Sequence, residues 1–84
     1  MYYLYLLRCA DNTLYTGITT DLVRRFKEHN FSNLGAKYTA ARRPVKLVYS
    51  EQFEDRSAAS KREHEVKNLS RLEKLQLIKK TSSS

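Results

Sequence analysis

Residues 2–8 read Tyr-Tyr-Leu-Tyr-Leu-Leu-Arg, with one polar position at the end. A run this short and this rich in aromatic side chains predicts a β-strand. Alternation puts Tyr3, Tyr5 and Leu7 on one face and Tyr2, Leu4 and Leu6 on the other. Both faces are largely apolar, so both are expected to be covered. The pattern breaks at Ala10-Asp11-Asn12-Thr13, where Asp11 and Asn12 tolerate left-handed dihedrals and suit a turn. A second strand over 14–18 completes a hairpin. Gly17, near its end, has no Cβ and leaves room for a close approach. The period then changes from two to 3.6. Leu22 and Phe26, four apart, form the buried stripe of a helix capped by Thr20 or Asp21 and stopped near Asn30. Arg25 and His29 are also four apart and share one face, while Arg24, Lys27 and Glu28 cover much of the remainder.

The next stretch, 31–44, has no clear period and holds Gly35, Lys37, Tyr38, Arg42 and Arg43. A connection of that length is usually functional or mobile. Its cations and aromatics suit a phosphate backbone and an exposed base. A solvated loop with Tyr38 tucked onto the core is the competing reading. A third strand, 45–51, starts directly after Pro44, where no ladder N–H is needed. Asp55 or Ser57 caps a helix through Leu69, with Ala59, Val66 and Leu69 inward, Glu63 on or near that side and Glu65 outward. Ser70-Arg71-Leu72-Glu73 matches a capping box and opens a last helix with Leu72, Leu75 and Ile78 as its apolar side. The element order is β-β-α-β-α-α. Residues 1–80 form one domain, and the polar residues 81–84 are expected to be a frayed tail.

Composition narrows the function classes. At 84 residues, 40% of them hydrophobic, the chain suits one small domain with a modest core. Sixteen Lys and Arg against nine acids give a net charge of +7, which favours an anionic partner, most often nucleic acid. The bland alternative is a merely soluble basic protein. Cys9 is the only cysteine, so neither an internal disulfide nor a cysteine-based zinc site forms. No apolar run approaches the ~18 residues of a membrane span. The N-terminus lacks a signal-peptide pattern, so a cytoplasmic protein is the expectation.

Phosphodiester hydrolysis needs an activated nucleophile, positive charge on the phosphoryl oxygens and help for the leaving oxygen. Arg25 can supply the charge in bidentate fashion. Glu63 can hold one divalent metal with water in the other positions. Each residue also has a structural reading. Tyr5 and Tyr15 can be core tyrosines, Arg25 can pair with Glu28, His29 can sit at the surface near a helix end, and Glu63 can pair with Lys67.

Taken together, Tyr3-Leu4-Tyr5, Tyr15-Thr16-Gly17, Arg25 eight residues after Gly17, His29 one turn later and Glu63 after the third strand resemble a GIY-YIG nuclease domain. The likeness is to the small, stand-alone, single-domain bacterial members and covers about 2–77. It departs from the family pattern at Tyr3, at Thr16 in place of an aliphatic residue, and at Ile18, where some repair-type members carry lysine. The resemblance implies an α+β fold with a three-stranded antiparallel sheet flanked by helices. It implies DNA cleavage dependent on Mg2+ or Mn2+, with Glu63 as metal ligand and Arg25 on the scissile phosphate. Tyr5 and Tyr15 would position or deprotonate water, Tyr15 being the favoured base. His29 would aid proton transfer or bind phosphate, and Gly17 would let substrate approach. Substrate would be held by Arg24, Lys27, Lys37, Arg42, Arg43 and Lys61, with low sequence specificity and a taste for single-stranded, branched or damaged DNA. Two competing readings are a non-catalytic nucleic-acid-binding module, for RNA as well as DNA, and a subunit that cuts only with a protein partner. Nothing in the pattern sets an oligomeric state.

Overall fold

The strand that is apolar on both faces lies in the middle. In the computed structural model, which describes residues 1–31 and 37–82, β1 (Tyr2–Arg8) runs between β2 (Leu14–Thr19) and β3 (Lys46–Phe53), antiparallel to both. The helices are α1 (Leu22–Phe31), α2 (Lys37–Ala40), α3 (Arg56–Lys67) and α4 (Arg71–Ser82). The β-β-α-β-α-α order therefore stands, with one added turn, α2, inside the connection that showed no period. Gly35 lies outside the described residues, as do the last two residues of the polar tail, whose first two belong to α4.

Each face of β1 has its own core. Tyr5, Leu7, Cys9 and Val45 pack beneath Leu22 and Phe26 of α1, with Tyr15 beside them. On the other face Leu4, Leu6 and Val66 pack with Leu69 and with Leu77 and Ile78 of α4. A buried leucine contributes roughly 2 kcal/mol, and β1 places three of them fully out of water, so the small domain closes around this strand.

Local chemistry sets the element ends. Asn12 has φ 70°, and the Asp11 carboxylate accepts from Thr13 N at 3.2 Å and Thr13 Oγ1 at 2.6 Å, closing the hairpin turn. Asp21, not Thr20, caps α1 by accepting from Arg24 N at 3.0 Å. Asp55, not Ser57, caps α3 through Ala58 N at 2.8 Å. Ser70 and Glu73 form the reciprocal capping box at 3.0 and 3.2 Å. Asn30 lies one residue before the last residue of α1, Phe31, so the expected stop is met to within a residue. The Asn30 amide pairs with both backbone groups of Val45, at 3.0 and 2.7 Å, and ties α1 to the start of β3. A bulge opposite Leu6 and Leu7 leaves Val48 unmatched, and β3 continues to Phe53, beyond the expected 51, because Phe53 still pairs with Tyr2. Arg62 of α3 grips Glu51 of β3 at 3.1 Å.

The apolar side expected for the last helix holds at Ile78 and fails at Leu72. Leu72 is 67% exposed. The contacts come from Leu77 and Ile78, and Leu72 lies five residues from Leu77, about 140° round the helix.

One buried polar atom has no partner among the described residues, Thr16 Oγ1 on β2. A buried hydroxyl without a hydrogen bond costs on the order of 1–3 kcal/mol. Thr16→Val removes the hydroxyl while keeping the β-branched shape. Urea unfolding should show the variant more stable by about 1 kcal/mol; a loss of stability would mean that the hydroxyl is satisfied after all.

Candidate active site

The hairpin and α1 bring the singled-out side chains together. Tyr5 and Tyr15 lie on the α1 face of the sheet, where Tyr5 pairs across the ladder with Gly17. A Cβ on Gly17 would stand 2.5 Å from Tyr5 Oη, so the missing side chain makes room for the Tyr5 phenol. The space beside Gly17, expected to admit substrate, is thus filled by Tyr5. From α1, one turn apart, come Arg25 and His29.

His29 is fully buried, which corrects the surface reading and removes direct phosphate contact from its possible roles. Tyr5 Oη lies 2.9 Å from His29 Nε2, and His29 Nδ1 lies 2.7 Å from Thr39 Oγ1. Thr39 is fully buried as well, and Tyr5 is 2% exposed. The Tyr15 and His29 ring centroids are 5.2 Å apart, and those of Tyr5 and Tyr15 6.4 Å. Burial pushes Tyr5 up to about 12, opposed by its hydrogen bond from Arg25 and reinforced by the charges of Tyr15 and Glu63. Burial, with the Arg25 charge behind it, lowers His29 to about 4. At neutral pH Tyr5 keeps its proton and His29 is uncharged. Half-buried Tyr15 is the phenol nearer to solvent.

Arg25 is held from two sides. It donates to Glu28 Oε1 at 2.9 Å and to the Tyr5 oxygen. Burial works against its charge, but these two partners outweigh it and raise its pKa. Glu63, on α3, pairs with Lys67 at 3.4 Å, its side chain 23% exposed, and its charge is felt at Tyr5. The ordinary pairings of Arg25 and Glu63 are thus both present in a site that also joins them through Tyr5.

The remaining substrate candidates separate. Arg43 caps α1 by donating to the His29 and Glu28 carbonyls, a structural task set by the unpaired carbonyls of a helix end. Arg42 is likewise engaged: it pairs with Asp11 at 2.9 Å, donates to the Tyr38 carbonyl at 2.8 Å and lies 4.0 Å over the Tyr38 ring. Tyr38 stacks on Tyr15 at 6.0 Å and is 38% exposed, so it is not tucked away. Lys27, Lys37 and Lys61 are exposed. Arg24, 3.9 Å from Glu28, joins Arg25, Arg56, Thr19 and Thr20 around a polar groove of about 350 Å³. Sequence reasoning missed Arg56 and Thr39. Arg56 had a cue: it is a cation in the first turn of α3, at the end of the helix dipole that disfavours one. Thr39 had none.

The family model described as the GIY-YIG catalytic domain matches residues 1–76. The chain belongs to the GIY-YIG family. It is 56% identical over 78 residues to a UPF0213 protein of Desulfotalea psychrophila, covering 93% of this chain and 71% of that one. A UPF0213 protein of Syntrophus aciditrophicus is 54% identical over 77 residues, 92% of this chain and 88% of that one. Among solved structures, a UPF0213 protein from Bacillus halodurans superposes with a TM-score of 0.60 at 48% identity, over 94% of this chain and 84% of that one. A protein from E. faecalis gives 0.66 at 45%, over 99% and 88%.

This GIY-YIG chain therefore carries a nuclease-type domain, and its donor set can be tested against a metal. Among the described residues no three His, Cys, Asp or Glu side chains converge. A lone, partly exposed carboxylate suits a hard cation that keeps most of its waters and takes the rest of its shell from phosphate oxygens. Glu63 fits that requirement. No helix among the described residues is long and apolar enough to cross a membrane.

The neutral His29 also makes a prediction. Between its ordinary 6.5 and the folded value of about 4, the unfolded chain binds more protons than the folded one. Stability is then complete above about pH 6.5 and falls by about 3 kcal/mol as pH drops to 4. Urea midpoints across that range should follow this slope, and His29→Gln should flatten it. An equally steep variant would assign the slope to other groups.

Proposed function

We propose that this protein is a divalent-metal-dependent DNA endonuclease of low sequence specificity. Its substrates on this reading are single-stranded, branched or damaged DNA in the cytoplasm, a range suited to repair. The observation that carries the proposal is the meeting of Tyr5, Tyr15, Arg25, His29 and Glu63 in one electrostatically linked cluster.

In this reading Arg25 exchanges Glu28 for the phosphoryl oxygens of the scissile group, where a guanidinium makes two parallel hydrogen bonds. Tyr15 orients the attacking water and, once its own phenolic proton has passed to solvent, takes the proton that the water loses. Tyr5 and His29 keep Arg25 in place from within the core. Glu63 would hold Mg2+ or Mn2+, which when bound supplies Lewis-acid stabilisation of the phosphoryl and leaving oxygens. Arg24 and Arg56 receive neighbouring phosphates in the polar groove.

The test is cleavage of labelled single-stranded, duplex and branched DNA by the purified protein with Mg2+, Mn2+ or EDTA. Cutting should require the metal, and Arg25→Ala and Glu63→Ala should each lower kcat by about 10²–10³. Cutting that survives EDTA would sink the metal requirement, and binding without cutting in every condition would sink the enzyme. Arg56→Ala should act mainly on KM and reduce the salt dependence of DNA binding by about one counterion. An unchanged salt slope would remove Arg56 from the DNA path.

A further inference from the structure

One fully buried polar side chain takes no part in the mechanism above. Thr39 sits on the single turn α2, with Oγ1 2.7 Å from His29 Nδ1. The proton positions along this buried chain follow from donor chemistry. A guanidinium only donates, so the Tyr5 oxygen accepts from Arg25. That leaves the Tyr5 hydroxyl proton free for His29 Nε2, 2.9 Å away. In a neutral imidazole an accepting Nε2 leaves the proton on Nδ1, which donates to Thr39 Oγ1. In this order the chain runs Tyr5 to His29 to Thr39, and both ring nitrogens of His29 are paired.

We propose that Thr39 is a positioning residue whose hydroxyl selects the Nδ1–H tautomer of His29, and thereby holds the Tyr5 oxygen towards Arg25. The proposal rests on the nuclease reading for its catalytic consequence. Without the Thr39 oxygen, Nδ1–H loses its acceptor and the proton moves to Nε2. Nε2–H then donates to the Tyr5 oxygen and competes there with Arg25, which loses a fixed partner just where it must face a phosphate. A second contact shows that the same segment is built around His29. Arg43, four residues after Thr39, donates to the His29 backbone carbonyl, so the side chain and main chain of His29 are gripped from one short stretch. Tyr38, the neighbour of Thr39, stacks on Tyr15.

Imidazole ¹⁵N spectra of the full chain read the tautomer directly and need no turnover. The wild type should show His29 protonated at Nδ1 and bare at Nε2 at pH 7. Thr39→Val should move protonation to Nε2, and Thr39→Ser should restore the wild-type pattern. On DNA, kcat should fall about tenfold in Thr39→Val with KM little changed, and recover in Thr39→Ser, the size seen for partners that orient a functional histidine. A wild-type Nε2–H tautomer overturns the proposal, and that spectrum decides the matter even if Thr39→Val does not fold. A folded Thr39→Val with the wild-type tautomer also overturns it. A tautomer that follows Thr39 in a protein that cuts no DNA upholds the selection by Thr39 and overturns the nuclease reading instead.

Discussion

The hydrogen bond between Tyr5 and His29 sets the terms for the rest of the molecule. It buries a phenol and an imidazole inside a core of only modest size, and burial of such groups is tolerated only when each polar atom is paired. That demand reaches three elements. Tyr5 fits because Gly17 leaves the facing strand position empty. His29 fits because α2 supplies Thr39 to its far nitrogen. The end of α1 stays against the sheet because Arg43 answers its carbonyls and Asn30 pairs with Val45.

The same bond orders the electrostatics. A neutral imidazole beside Arg25 adds no repulsion, and a protonated phenol offers Arg25 a lone pair without a full negative charge. Arg25 therefore keeps Glu28 as a charged partner, and Glu28 is a group on the same helix that an anion can displace. A buried carboxylate in place of Tyr5 would hold the guanidinium far more firmly and leave less of its charge for phosphate. The surplus of positive charge around the polar groove works in the same direction, since among the described residues lining it Arg24, Arg25 and Arg56 face Glu28.

Much of this was legible in the chain. The alternation along β1 showed that both faces had to be covered, and caps at Asp21, Asp55 and Ser70 marked helix starts because orphan N–H groups have few alternatives. The spacing of Arg25 and His29 placed them on one helix face. It did not show how deep that face sinks, because a histidine is compatible with surface or core until its partners are known. Both partners, Tyr5 and Thr39, come from elsewhere in the chain. The partners of Arg42 and Arg43 were hidden for a related reason: a cation's local sequence says nothing of the carbonyl or carboxylate that will meet it. Leu72 misled because the α4 side chains packed on the core, Leu77 and Ile78, lie in its second half, so a stripe drawn from its first turn starts on the wrong side.

A domain this small cannot separate its core from its chemistry. Tyr5 belongs at once to the cluster with Leu7, Cys9 and Val45 and to the group that holds Arg25. Larger proteins can support a site with a polar shell and keep the hydrophobic core elsewhere. Here the supporting shell is the core, and the rigidity that packing gives to side chains is passed directly to the guanidinium. The arrangement also confines tolerance. Change at exposed positions such as Lys27 or Lys61 leaves packing alone, whereas change at Gly17, His29 or Thr39 alters packing, hydrogen bonding and the aim of Arg25 together.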